Sequence, residues 1–169
     1  MTTTAAPDIG TTTQIYRIFI RATPQAIWDA ITKPEFTQKW GYGLRDEYDL
    51  RPGGEYRGMA TESMKAFGLE GVIVDGEVIE VHAPYKLVIT WRMFVDASMR
   101  AEGFTRLTYE IEEGRDGVSR MSVIHDVTGT PGHGAMVAGS KQGPGTGAGW
   151  TWILSDLKSM LERGKAMNV

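Results

Sequence analysis

His125 lies in Met121-Ser122-Val123-Ile124-His125-Asp126-Val127, where alternation puts Met121, Val123, His125 and Val127 on one face and Arg120, Ser122 and Asp126 on the other. The first face reads as inward, so the imidazole stands among apolar groups. Two roles fit it: a hydrogen-bonded core residue, or a ligand-facing donor or proton-transfer group on a cavity wall. The dipeptide His125-Asp126 is no metal pair, because neighbours in a strand point to opposite faces. His82 and His133 add no compact ligand spacing, and no bound metal is expected.

Other chemistries are missed by small margins. Gly134-Ala135-Met136-Val137-Ala138-Gly139-Ser140-Lys141 has the four-residue gap of a phosphate loop, but Ser precedes Lys where the phosphate loop needs Lys first. Gly143, Gly145, Gly147 and Gly149 miss the dinucleotide spacing, since position 148 is Ala and no parallel βαβ unit surrounds it. Ala138-Gly139-Ser140-Lys141-Gln142 is the nearest approach to a nucleophile elbow and is not one. The absence of Cys removes thiol nucleophiles and thiolate metal sites. Glu62, Glu70, Glu77, Glu80, Glu102, Glu110 and Glu112 mostly alternate outward and read as a solvated face. No cofactor is expected.

The aromatic set carries more information. Trp40, Tyr56, Trp91 and Trp150 lie on different elements, with Met64, Phe67, Met93 and Phe94 near an expected opening and Leu154 on the last helix. Trp and Tyr combine apolar area with a polar handle and Met adapts its shape, so these residues suit the wall of a ligand pocket as well as plain core filling. For Trp28 and Leu157, core filling is the better reading.

The elements that must position them are legible. Residues 14–22 alternate as a strand. Thr23-Pro24 opens a short helix through Ile27, Trp28 and Ile31, and a second short helical piece runs from Pro34 to Trp40. Six further strands follow over residues 45–50, 55–60, 73–82, 85–93, 104–112 and 118–127, with short connections that include the Asp116-Gly117 turn. An antiparallel sheet of about seven strands results. Residues 129–149 hold eight glycines, too many for a stable helix interior, and read as a mobile loop, either a gate at a pocket mouth or a connector. Trp150, Ile153, Leu154, Leu157, Met160 and Leu161 then form one stripe of a long terminal helix ending near Gly164. The fold class is α+β, with a flexible leader over 1–13, one domain over 14–164 and a tail over 165–169.

Composition fits this picture. The 169 residues carry 18 basic and 21 acidic side chains without a basic run, which argues against a nucleic-acid partner. No apolar stretch has the length of a membrane span, and the leader lacks the features of an export signal, so no membrane partner and a cytoplasmic location are expected.

Several stretches resemble a known superfamily: Ala22-Thr23-Pro24 with Ile27-Trp28 and Ile31; Lys33-Pro34-Glu35 with Trp40; Asp49-Leu50-Arg51-Pro52-Gly53-Gly54; Gly76-Glu77-Val78-Ile79-Glu80-Val81; Leu87-Val88-Ile89-Thr90-Trp91; Arg106-Leu107-Thr108; and Gly149-Trp150 with Leu154, Leu157 and Leu161. In order and spacing they are similar to the START-like, birch-pollen-allergen-like (SRPBCC) domains, in the branch of activator-of-heat-shock-ATPase homologues and polyketide cyclases. The resemblance implies a helix-grip fold, a curved sheet around the C-terminal helix, with an apolar pocket for small lipidic or aromatic molecules. Two stretches depart from the commonest pattern: the insertion Thr61 to Gly71 and the glycine-rich segment after His125.

Three functions follow as expectations. The first is binding of a small hydrophobic or aromatic ligand lined by Trp40, Tyr56, Met64, Phe67, Trp91, Met93, His125, Trp150 and Leu154. The second is a cyclase- or hydrolase-type enzyme using the same cavity, with His125 moving a proton. The third is a cochaperone-like interaction module. A homodimer is also allowed, if strand one or the Met64–Phe67 insertion leaves apolar area uncovered.

Overall fold

The computed structural model describes residues 12–139 and 148–167. Alternation along Thr13–Ile20 produces strand β1, which pairs antiparallel with β7 (Ser119–Asp126). The remaining strands are β2 (Arg45–Tyr48), β3 (Glu55–Met59), β4 (Val72–His82), β5 (Lys86–Met93) and β6 (Thr105–Glu113). They form one seven-stranded antiparallel sheet in the order β1-β7-β6-β5-β4-β3-β2. Register shifts at Gly58/Met59 and between Val78 and Glu80 mark the irregularities that bend a sheet.

Two helices follow β1, as the sequence predicts: α1 (Pro24–Thr32), capped by the Thr23 side chain with Pro24 at its start, and α2 (Pro34–Thr37). The insertion after β3 contains the single turn α3 (Glu62–Lys65), and Asp96 caps α4 (Ala97–Ala101) before β6. The long helix α6 (Gly149–Arg163) ends on Gly164 in the left-handed conformation and buries Trp150, Leu154, Leu157 and Met160 against the sheet. The α+β helix-grip architecture therefore holds. Asp156 on α6 is buried and accepts hydrogen bonds from the backbone N–H of Gly41 at 2.7 Å and of Met167 at 2.6 Å. It fixes the Trp40–Gly43 segment and the chain beyond α6 to that helix.

The glycine-rich stretch requires a correction. Pro131–Val137 is a helix, α5, despite Gly132 and Gly134. The helical cost of those glycines is offset from outside: Glu102, just past α4, accepts hydrogen bonds from the N–H groups of Gly132 (2.7 Å) and His133 (3.1 Å). A Cβ on Gly132 would meet the Glu102 carboxylate, so glycine is what allows this cap to approach. Glu102 is thereby an exception to the solvated carboxylate face. Residues 140–147, which fall within the expected gate, and 1–11 of the expected leader lie outside the described residues.

The two most exposed large apolar side chains are Phe67 and Phe19. Ile15 and Phe19 lie on the outer face of β1, Phe19 at 61% exposure, and Phe67 follows α3 at 84%. Among the described residues no helix is long and apolar enough to cross a membrane.

Candidate ligand cavity

A cavity of about 80 Å³ lies between the sheet and α6. Its floor consists of buried rings from separate strands and the helix: Tyr56 on β3, Trp91 on β5, Tyr109 on β6 and Trp150 on α6. Trp40, Gly41 and Tyr42 close one side, and the half-buried Met136 and Ile153 complete the rim with Tyr42. The Trp40 indole is held by its N–H donating to the Ala30 carbonyl at 3.0 Å.

Five of the nine side chains expected at a ligand site meet here: Trp40, Tyr56, Trp91, Met93 and Trp150. The other four lie elsewhere. Leu154 is core, Met64 packs on the edge of the core, and Phe67 is largely in solvent. His125 sits behind the floor, fully buried, with both ring nitrogens engaged.

That engagement has a direction. An indole N–H only donates, so the 3.0 Å bond from Trp150 Nε1 makes His125 Nδ1 an acceptor and places the proton on Nε2. His125 Nε2 donates to Thr105 Oγ1 at 2.7 Å, and the Thr105 hydroxyl donates in turn to the Trp91 carbonyl at 2.8 Å. Burial drives the imidazole down to about 3, and proximity to His133 adds to it. This is the satisfied core histidine of the two readings given above. His133 is similarly placed: its Nε2 accepts from the Met93 N–H at 3.1 Å and its Nδ1 donates to Glu102 at 2.7 Å. Burial alone would raise Glu102, but the bonds from the His133 ring and the Gly132 and His133 backbone outweigh it and leave the carboxyl below its usual range. Among the described residues no cluster of His, Asp or Glu could hold a metal.

The group that residue reading missed is Asp46. Alternation in Arg45-Asp46-Glu47-Tyr48 gives Asp46 and Tyr48 one face, and Asp46 lines the cavity from it. Gly58, opposite in the β2–β3 ladder, leaves the room the carboxylate needs; a Cβ there would stand 3.0 Å from Asp46 Oδ1. The Tyr56 hydroxyl donates to Oδ1 at 3.2 Å, and the Tyr48 and Tyr56 rings stack with centroids 4.4 Å apart. Burial pushes Asp46 up to about 7, only partly countered by the Tyr56 hydrogen bond.

This has a consequence for stability. The folded protein keeps a proton on Asp46 up to about pH 7 that the unfolded chain, at 3.8, has already lost. The contribution is complete below about pH 4 and disappears as pH rises to about 7. Asp46→Asn removes the cost of holding a half-buried charge, so at pH 8 the variant is expected to be more stable than the parent by about 1–3 kcal/mol, and at pH 4 nearly equal to it. Denaturant unfolding at the two pH values checks this; an equal difference at both would refute it.

Comparison with known proteins agrees with this architecture. Residues 21–162 match the family model described as activator of Hsp90 ATPase homolog 1-like protein. The comparison with curated proteins finds no match. Among solved structures, the chain is similar to the HSP90 activator PFC0360w from Plasmodium falciparum (16% identity, 88% of this chain and 86% of that one, TM-score 0.53). It is also similar to the Aha1 dimer from Colwellia psychrerythraea (18%, 91% and 98%, TM-score 0.60). The crystal structure of CalU16 from Micromonospora echinospora matches at 20% identity over 69% of this chain, with a TM-score of 0.51, and there the match spans only 60% of the CalU16 chain. At such identities these neighbours share the fold. With a family match over most of its length and the same sheet wrapped on a terminal helix, this chain belongs to the activator of Hsp90 ATPase homolog 1-like family.

Proposed function

We propose that the protein binds a small hydrophobic or aromatic molecule in the cavity between the sheet and α6. The supporting observation is the composition of that cavity: indole, phenol and thioether groups from separate elements surround free volume, with Asp46 and Tyr56 as its polar pair. Its size sets the mode of entry. About 80 Å³ is roughly half of the ~150 Å³ that accommodates benzene in an engineered protein cavity, so an aromatic ligand must move the rim. Met136 on that rim is suited to this, having several low-cost rotamers.

Titration with neutral aromatic, sterol and fatty-acid probes, followed by Trp fluorescence, is expected to give a saturable change for at least one small aromatic compound. Trp91 and Trp150 form the floor and report on occupancy. A folded protein showing no change with any probe would overturn the proposal. The proton-transfer alternative finds less support, because neither nitrogen of His125 is left free to act on a ligand.

A further inference from the structure

The cavity carries charge of one sign. Among the described residues no Lys, Arg or His lines it, and Asp46 is its carboxylate. An anionic ligand would lose its hydration to ring faces and a like charge, with no counter-ion to compensate. A cation meets the reverse arrangement, a carboxylate beside aromatic rings, which attract positive charge through their negative faces.

We propose that the cavity selects an apolar amine, whose ammonium sits against the Asp46 carboxylate and the rings of Tyr56 and Tyr109 while its apolar part lies toward the Met136 and Ile153 rim; this rests on the binding function proposed above. Size favours the same ligand. An –NH3+ group has one heavy atom and enters the existing volume, leaving only the apolar part to displace the rim. The alternative, a carboxyl that serves only to anchor the Tyr56 hydroxyl, requires no ligand charge at all.

The titratable groups that face Asp46 are Tyr48 on its own strand, Tyr56 on β3 and Tyr109 on β6. Burial raises all three phenols and keeps them neutral. Nothing positive competes with an incoming ammonium, and ionisation of Asp46 near neutrality governs the affinity.

Calorimetric titration of the full chain with benzylamine, benzyl alcohol and benzoate at pH 8 tests the proposal. Benzylamine is expected to bind at least about tenfold more tightly than benzyl alcohol, with benzoate weakest, and several-fold more tightly at pH 8 than at pH 6. In Asp46→Asn, with folding checked by circular dichroism, benzylamine should fall to within about twofold of benzyl alcohol measured on the same variant. Equal binding of amine and alcohol, or an amine preference that survives Asp46→Asn, would overturn the amine assignment while leaving the cavity a binding site. Failure of all three to bind the folded chain would overturn the amine assignment, and the binding function itself falls only if the wider probe panel above also gives no change.

Discussion

Replacing His125 by Ala is expected to lower the unfolding free energy by about 3–5 kcal/mol, an effect on folding that needs no catalytic role. The ring is fully buried, so its removal leaves a void. It also strands the Trp150 indole N–H, whose partner among the described residues is His125, and opens the relay from Trp150 through Thr105 to the Trp91 carbonyl. Those two indoles are half of the cavity floor. His125→Leu restores volume but not the acceptor, and should recover only the packing part of the loss. Guanidinium unfolding followed by circular dichroism and Trp fluorescence measures both variants; a loss below about 1 kcal/mol for His125→Ala would show that the floor does not depend on the relay.

The same residue sets a pH signature. Because burial holds the folded imidazole near 3 against 6.5 when unfolded, the unfolded chain binds more protons between those values, and stability falls as pH drops from about 6.5 to 3. Asp46 works in the opposite sense between about 4 and 7. The two slopes oppose each other over most of the acid range, so the parent protein's profile is flatter than either contribution. Asp46→Asn should steepen the loss of stability toward acid that His125 causes.

What could be read from residues alone was what depends on near neighbours. Alternation located His125 and its inward face, and Asp116-Gly117 located the β6–β7 turn, where both residues take the positive φ that this hairpin needs. Helix α5 was hidden because its cap, Glu102, comes from about thirty residues earlier, and local propensity argues only from the glycines. Asp46 was hidden for a related reason. Its period-two pairing with Tyr48 was visible, but the surroundings that change its chemistry are brought by elements distant in the sequence, among them β3 with the Tyr56 hydroxyl. Phe67 erred the other way: a large apolar side chain suggested a lining position, yet the turn after α3 leaves it in solvent.

Gly76→Ala is expected to have the largest effect of any single methyl addition in the sheet, at least about 3 kcal/mol, enough to unfold a protein of ordinary stability. Gly76 lies on β4 opposite Tyr56 of β3. A Cβ placed on it would fall on the backbone carbonyl oxygen of Thr90, on the neighbouring β5. In a regular pleat a Cβ points out of the sheet, so this direction means that the β4 backbone is turned out of the pleat here. The next residue agrees: Glu77 N–H donates to the Thr90 hydroxyl at 2.8 Å. The close approach places β5, with Trp91, against β4 as the latter carries β3 and Tyr56, so two walls of the cavity are set by one missing side chain. Relief requires a main-chain shift, because the obstructing atom is backbone and cannot rotate away. Gly58→Ala provides the contrast: its nearest obstacles, at 3.0–3.4 Å, are side-chain atoms of Asp46, Val74 and Leu44. It should fold, with a smaller loss and an altered Asp46 environment. Thermal unfolding of the two variants separates these cases, and Gly76→Ala melting within a few degrees of the parent would show that β4 can regain the regular pleat without cost.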